Sequence, residues 1–564
     1  MRYFAGIIRS KPSWWENIHD PVTVKKWRDE MVEHDRVTHD ELWGGDLRFK
    51  LYKKKANDGE RGRRRGDVKW WPRELLTEAQ IKYIFDELLH AASKRDPSTG
   101  VFTSHIQMAF ESHSLVDGAL KTRLARAVVA LEDLPDDQKV WHPKFNNQVL
   151  DLVHPSMYPL CIGHTYFRVP NPKGGEPVLT LLDRKKYLQV QPASNSYNPR
   201  YSASDAYQWL PTDFAVSLNG DVTTAGYINN AHPSRHRALY PVVTSIVVRF
   251  VPMFERMISS TLNMQRPVDY IAIEVDGHEW YNHLEVKEPE DDDDDNTYKD
   301  RHAEWERLHK WPRIPDPKLF TPLPTDARTE FSLKGRTIQV IVKLTNVHLT
   351  PDNPFYPGGS WHVEGMGNER IVATGLYCYT MENVTESGLA FRHCVGSGES
   401  GSELMYQQGD RKGYTTAFGF ACDDPFSQPL GHIVAAEGKC VAYPNFYQHR
   451  VEPFELADKT RPGHIKILSL FLVDPTTRIL STSDVPPQQR EWAIAQAEQV
   501  PALQKLPREL YDMVVGYAEE GLMSRAQAEE HRGRLMKEQA AFTETYNEES
   551  FEQLFCGVEN NDDY

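Results

Sequence analysis

Gly359-Ser360-Trp361-His362-Val363-Glu364-Gly365-Met366 is the stretch on which the reading of this chain turns. Taken as a strand, it puts His362 and Glu364 on one face, because side chains two apart share a side. One further histidine would complete a facial triad, which leaves open positions on iron(II) for a cosubstrate and for O2. Gly358 and Gly359 allow close backbone approach just before the pair. The favoured third ligand is His449, in Tyr443-Pro444-Asn445-Phe446-Tyr447-Gln448-His449-Arg450-Val451. His393, His432 and His464 compete with it. His432 opens a strand and His464 follows Pro462-Gly463, so structural roles suit both, whereas a strand carrying candidate cations follows His449 closely.

That strand lies in Thr460-Arg461-Pro462-Gly463-His464-Ile465-Lys466-Ile467-Leu468-Ser469-Leu470-Phe471. A 2-oxoglutarate cosubstrate needs a fixed cation for its distal carboxylate. Arg461 and Lys466 are candidates here, and Arg392 is a third. Lys466 shares parity with Leu468 and Leu470, while Ile465, Ile467, Ser469 and Phe471 form the other set. Either set could face the cavity, and Ser469 would supply a hydroxyl if its set does. Trp361, Tyr377 and Tyr379 are candidate walls of a substrate pocket.

Outward from this region the chain divides into three parts. Residues 1–139 form a helical N-terminal region, with helices predicted at Pro21 to Met31, Leu76 to Leu89 and Leu120 to Leu131 from apolar spacing. The Trp14-Trp15 and Trp70-Trp71 pairs read as packing anchors. Residues 140–485 change texture. Strands are predicted around an Asn219-Gly220 turn, at Asp269 to Val275, Thr337 to Leu344, Ser360 to Val363, Ile371 to Tyr379, Gly388 to Phe391, His432 to Ala435, Lys439 to Tyr443 and Ile465 to Val473, with a buried helix at Pro241 to Ile258. Residues 486–564 turn helical again, and Ser524-Arg525-Ala526-Gln527 has the pattern of a capping box. The expected fold class is α+β, a double-stranded β-helix (jelly-roll) core with helices on either side in sequence.

Composition bounds the function. The 564 residues, 40% hydrophobic, suffice for a large core. The net charge of −15 disfavours general nucleic-acid binding. Part of it lies in the run from Glu288 to Asp295, which lacks the spaced ligands and turn glycine of a calcium loop. The basic stretch from Lys53 to Arg65 is expected to be an exposed, glycine-rich loop, with a nuclear address as the other reading. No apolar run approaches a membrane span and the start has no signal-peptide core. Six scattered cysteines without a CxxC pair point to a reducing, cytoplasmic setting.

Several segments together carry a family resemblance: Lys11-Pro12-Ser13-Trp14-Trp15, Val149-Leu150-Asp151-Leu152-Val153-His154-Pro155-Ser156, Tyr207-Gln208-Trp209-Leu210-Pro211, Tyr227-Ile228-Asn229-Asn230, Gly358 to Met366, His449-Arg450-Val451, and Phe471-Leu472-Val473-Asp474-Pro475. Through them the chain resembles the fungal proteins grouped as domain of unknown function 4246. The resemblance implies a jelly roll similar to iron(II)- and 2-oxoglutarate-dependent oxygenases, with His362, Glu364 and His449 at the metal positions. Two departures accompany it: glutamate stands where most such enzymes carry aspartate, and Ile465-Lys466 stands where relatives carry two basic residues. The leading expectation is an oxygenase that hydroxylates or desaturates a small-molecule substrate. The alternatives are a non-catalytic jelly-roll scaffold and a metal-dependent enzyme that does not use 2-oxoglutarate.

Overall fold

The computed structural model describes all residues except 44–50, 53–67, 70–74, 192–202, 264–278, 291–294, 311, 314–315, 322–327, 395–424, 426 and 553–564. The basic stretch 53–65, residues 291–294 of the acidic run and the strand predicted at 269–275 therefore lie outside the described residues, as do Trp70 and Trp71.

Helices α1 (Arg2–Ser10), α2 (Pro21–Trp43) and α3 (Glu78–Ser93) open the chain. Thr77 caps α3 through a capping box with Gln80. Trp14 is fully buried against Phe102, as expected of an anchor. Helix α4 (Gly118–Glu132) follows, with Asp117 as its N-cap. The predicted buried helix is α5 (Leu239–Leu262). The chain closes with α6 (Arg508–Ala518) and α7 (Arg525–Tyr546), and Ser524 and Gln527 form the capping box read from the sequence. Among the described residues no helix is long and apolar enough to cross a membrane.

The strands of the two larger sheets are β1 (Phe102–Thr103), β2 (Phe110–Ser112), β3 (Val149–Val153), β4 (Thr212–Val216), β5 (Val222–Ala225), β6 (Thr337–Leu349), β7 (Ile371–Glu382), β8 (Gly388–Cys394), β9 (Ser427–Val434), β10 (Cys440–Pro444), β11 (Gln448–Val451) and β12 (Gly463–Val473). Nine of them make one antiparallel sheet in the order β5-β4-β6-β12-β7-β10-β2-β1, with β3 also paired to β6. The short β1–β2 hairpin brings the N-terminal segment into this sheet. A second antiparallel sheet runs β9-β8-β11. The chain thus mixes helices with antiparallel sheets.

Alternation along the central strands sorts the side chains onto two faces. Val340, Val342 and Leu344 of β6, Leu468, Leu470 and Leu472 of β12, and Cys440 and Ala442 of β10 turn towards α4 and α5 and form the largest apolar core. Gly375 of β7 makes the close approach of α5 possible: a Cβ there would stand 2.8 Å from the Phe250 ring and 2.9 Å from Phe254. The opposite face has two covers. Phe391, Leu430 and Ile433 of the three-stranded sheet pack on Val441 and Tyr443. Beside them, Ala528 and Leu535 of α7 pack on Ile341 and Phe471.

Candidate metal centre

The stretch 360–364 is not a strand. It makes a single bridge to β11, with His362 N–H donating to the His449 carbonyl (3.2 Å) and His449 N–H to the His362 carbonyl (3.0 Å). Gly358, at φ +87°, allows the approach, since a Cβ there would meet the Val451 carbonyl at 2.9 Å. Asn445 holds the next turn: its Nδ2 donates to the Glu364 carbonyl (2.9 Å) and its Oδ1 accepts from Glu364 N–H (2.9 Å). A side-chain clamp does here what a ladder would have done.

The result brings the three predicted residues together. One ligand atom from each of His362, Glu364 and His449 lies within 4.8 Å of the others. Glu364 Oε1 stands 3.7 Å from His362 Nε2 and 3.4 Å from His449 Nε2. His362 Nδ1 lies 2.8 Å from the Ser360 carbonyl. A carbonyl only accepts, so Nδ1 carries the proton and Nε2 presents a bare lone pair, the orientation that metal-binding histidines adopt. Tyr443 and Phe391 pack around the His449 ring. Two imidazoles and one carboxylate, with aromatic rings packed behind them, fit a divalent transition metal.

The three groups shift one another's protonation. Burial would raise the Glu364 carboxyl, but the two imidazoles hold it well below its usual range. Burial pulls His362 down, yet the Glu364 carboxylate beside it leaves it raised. His449 is lowered by burial and then by the charge on His362.

The cations predicted for a carboxylate are not brought to this face. Lys466 turns to the helix side, where it pairs with Glu132 of α4 (2.7 Å). Arg461 is exposed and faces Glu382. Arg392 points away from His449, because its neighbour Phe391 takes the inward position opposite that histidine. Its guanidinium lies between the rings of Trp361 (5.0 Å) and Phe551 (5.2 Å) and donates to Gln448 (2.6 Å). Trp361 is thereby stacked on Arg392 and Arg450. Tyr377 and Tyr379 are fully buried in the helix-side core, across the sheet from His449. They are walls of that core, since the β7 residues between them and the triad face the other way. Ser469 is on the triad side, the set shared with Ile467 and Phe471.

Sequence reading missed five residues on this side. Lys343 of β6 pairs directly with Ser469 of β12, and its charge is felt by Glu364, His362 and Asp151. The signal was a lone lysine on the parity of Ile341, Thr345 and Val347. Asp151 of β3 is buried and takes a 2.5 Å ion pair from Arg532 of α7. Arg532 sits in the buried stripe Ala528, Arg532, Leu535, at helical spacing. His154, just past β3, is buried against Trp209. Glu369, also buried, accepts from the N–H groups of Trp209 and Met366 (2.7 Å each), and burial pushes it up to about 7.

Comparisons with solved structures give weak likenesses. A bsmA homolog from Methylobium petroleophilum PM1 is 8% identical over 24% of this chain and 42% of that one, with a TM-score of 0.16. IDO from Bacillus thuringiensis is 8% identical over 24% and 46%, at 0.14. The Fe(II)/(alpha)ketoglutarate-dependent dioxygenase TqaL is 9% identical over 65% and 95%, at 0.20. The chain thus spans less than half the length of the first two. No curated protein matches it. A family model described as "Protein of unknown function (DUF4246)" matches residues 78–496. That span includes every resemblance segment except Lys11 to Trp15 and covers well over half of the chain, which therefore belongs to the DUF4246 family.

Proposed function

We propose that the protein is an iron(II)- and 2-oxoglutarate-dependent oxygenase acting on a small-molecule substrate. The observation that carries this reading is the donor set itself: His362 Nε2, His449 Nε2 and Glu364 Oε1 converge, with the His362 proton held on the far nitrogen. In the same reading residues 140–485 form a jelly-roll catalytic core, whose two facing sheets are the three-stranded one and the nine-stranded one without its β1–β2 hairpin, between a helical N-terminal region (1–139) and a helical tail (486–564). Cys161, Cys378 and Cys440, which form no disulfide, suit a reducing compartment such as the cytoplasm.

His362, Glu364 and His449 would hold iron(II). When bound, the metal supplies O2 activation coupled to oxidative decarboxylation of 2-oxoglutarate, the chemistry that hydroxylates or desaturates a C–H bond. The chain's own part is orientation and exclusion of water. Lys343 and Ser469, adjacent across β6 and β12, would take the distal carboxylate with an ammonium and a hydroxyl. Lys343 thus replaces Lys466, Arg461 and Arg392 as the candidate cation. Tyr443, Phe391 and Leu376 keep the interior behind the triad apolar.

Anaerobic addition of iron(II) and 2-oxoglutarate tests this. A visible metal-to-ligand charge-transfer band is expected in the wild type and not in His362→Ala. Bound iron without a band would refute 2-oxoglutarate binding and leave the scaffold or an enzyme without this cosubstrate.

A further inference from the structure

Beyond Lys343 and Ser469 the same row of the sheet continues onto β3. Val153 is paired with Leu344, so the next residue, His154, reaches the rung of Lys343. Val153 and Leu344 both lie in the helix-side core, which turns His154 and Lys343 to the triad side. Three polar side chains from three neighbouring segments therefore stand abreast: an imidazole, an ammonium and a hydroxyl.

His154 is held with care. Ser156 N–H donates to its Nδ1 at 3.1 Å. A nitrogen that accepts from an N–H is unprotonated, so the proton of the neutral ring sits on Nε2. Asn230 Nδ2 donates to the His154 carbonyl (2.9 Å), and Trp209 Nε1 to Ser156 Oγ (3.0 Å). The Trp209 ring meets His154 edge to face. Burial, then the charges of Lys343 and Arg532, keep the imidazole well below its usual value, so it stays neutral. His154 is 7% exposed, and its Nε2 keeps some accessible surface rather than ending in packed protein. Among the described residues no protein acceptor takes this N–H, so the donor is available to a ligand that reaches it.

We propose that His154 is a ligand-positioning residue whose Nε2–H donates to the carboxylate held by Lys343 and Ser469. The inference rests on the oxygenase reading for the identity of that ligand, 2-oxoglutarate. The neutral donor adds direction without adding charge. It favours a planar carboxylate that can accept from three sides, and it selects a dicarboxylic 2-oxo acid over one with a plain alkyl end.

His154→Asn is the informative variant. Its Oδ1 can still accept from Ser156 N–H, but it has no atom where Nε2 was. His154→Gln restores a donor near that position. In anaerobic titrations of the charge-transfer band, His154→Asn should weaken 2-oxoglutarate about ten-fold, the usual worth of a hydrogen bond to a charged group. His154→Gln should recover much of the loss. Affinity for 2-oxobutanoate, which lacks the distal carboxylate, should not change in either variant. Equal 2-oxoglutarate affinity in wild type and His154→Asn overturns the proposal. Equal losses for both 2-oxo acids would also overturn it, placing His154 elsewhere in the site. Should His154→Asn not fold, His154→Phe takes its place, since it keeps the ring packed on Trp209. If the wild type gives no band, the oxygenase reading fails, and calorimetric binding of glutarate decides the row alone. Tighter binding to wild type than to the variant upholds it, and equal or absent binding overturns it.

Discussion

Arg532→Met should unmask the cost of a carboxylate stranded inside the protein. Arg532 and Asp151 meet at 2.5 Å, with side chains 9% and 1% exposed. Burial pushes the Asp151 carboxyl up, and Lys343 and Arg532 restrain the rise. Methionine fills much of the arginine stem but removes the charge, and breaking a buried pair this way costs roughly 3–5 kcal/mol. Asp151 has an escape: it can take up a proton. From an ordinary value near 4, protonation at pH 7.5 costs about 5 kcal/mol and at pH 5.5 about 2 kcal/mol, at about 1.4 kcal/mol per unit. The loss should therefore shrink by up to about 3 kcal/mol between those two conditions. Urea unfolding followed by tryptophan fluorescence reads it, with the Arg532→Met/Asp151→Asn double variant as control. The double variant should recover most of the stability at pH 7.5, because no charge is left unpaired. An equal loss at both pH values, or a double variant as unstable as the single one, would refute the argument.

Lys466→Met should leave 2-oxoglutarate affinity unchanged, whereas Lys343→Met should lower it at least ten-fold, about 1.4 kcal/mol; the charge-transfer titration separates them, and the reverse result would mean that the faces of β12 are misassigned. Glu369 should make stability fall as pH rises from 4.5 towards 7 and level off above, because the folded carboxyl (about 7) holds its proton after the unfolded one (4.5) has lost it. Relative to Glu369→Gln, the wild type should therefore lose up to about 3 kcal/mol across that window, read as the difference between their urea curves; a constant difference would remove burial as the cause. Gly375→Ala should cost about 1–3 kcal/mol by forcing the Phe250 and Phe254 rings away from β7, with iron binding retained because that face lies opposite His449; a thermal melt and an iron titration check both halves.

The triad was legible because its chemistry is local: two ligand types at a spacing of two, and a third histidine before a cation-bearing strand. The means of holding it was not legible. The 360–364 stretch reads as a strand, yet Asn445 clamps it from outside the local pattern. The central strands were placed to within a few residues, since alternation and turn residues are also local. Their facing was not, because parity divides Lys466 from Ser469 without saying which set meets helices α4 and α5. That depends on long-range packing, and Glu132 decides it only once α4 has docked. The same ambiguity sent Tyr377 and Tyr379 to a pocket when they belong to the helix-side core. Lys343 and Arg532 were overlooked because a lone cation in an apolar stripe reads as a surface residue until its neighbours are known.

The three ligands and β12 all precede α7 in the chain, so a ribosome would release them while the helix that covers Ile341 and Phe471 was still unmade. During that interval Asp151 would have no guanidinium, and the part of the triad side that α7 covers would stand open to water. The order of synthesis thus makes α7 a stopper: a nascent chain halted before Arg525 would carry every candidate metal ligand but lack one cover of that face. Addition of α7 would be the event that covers Ile341 and Phe471.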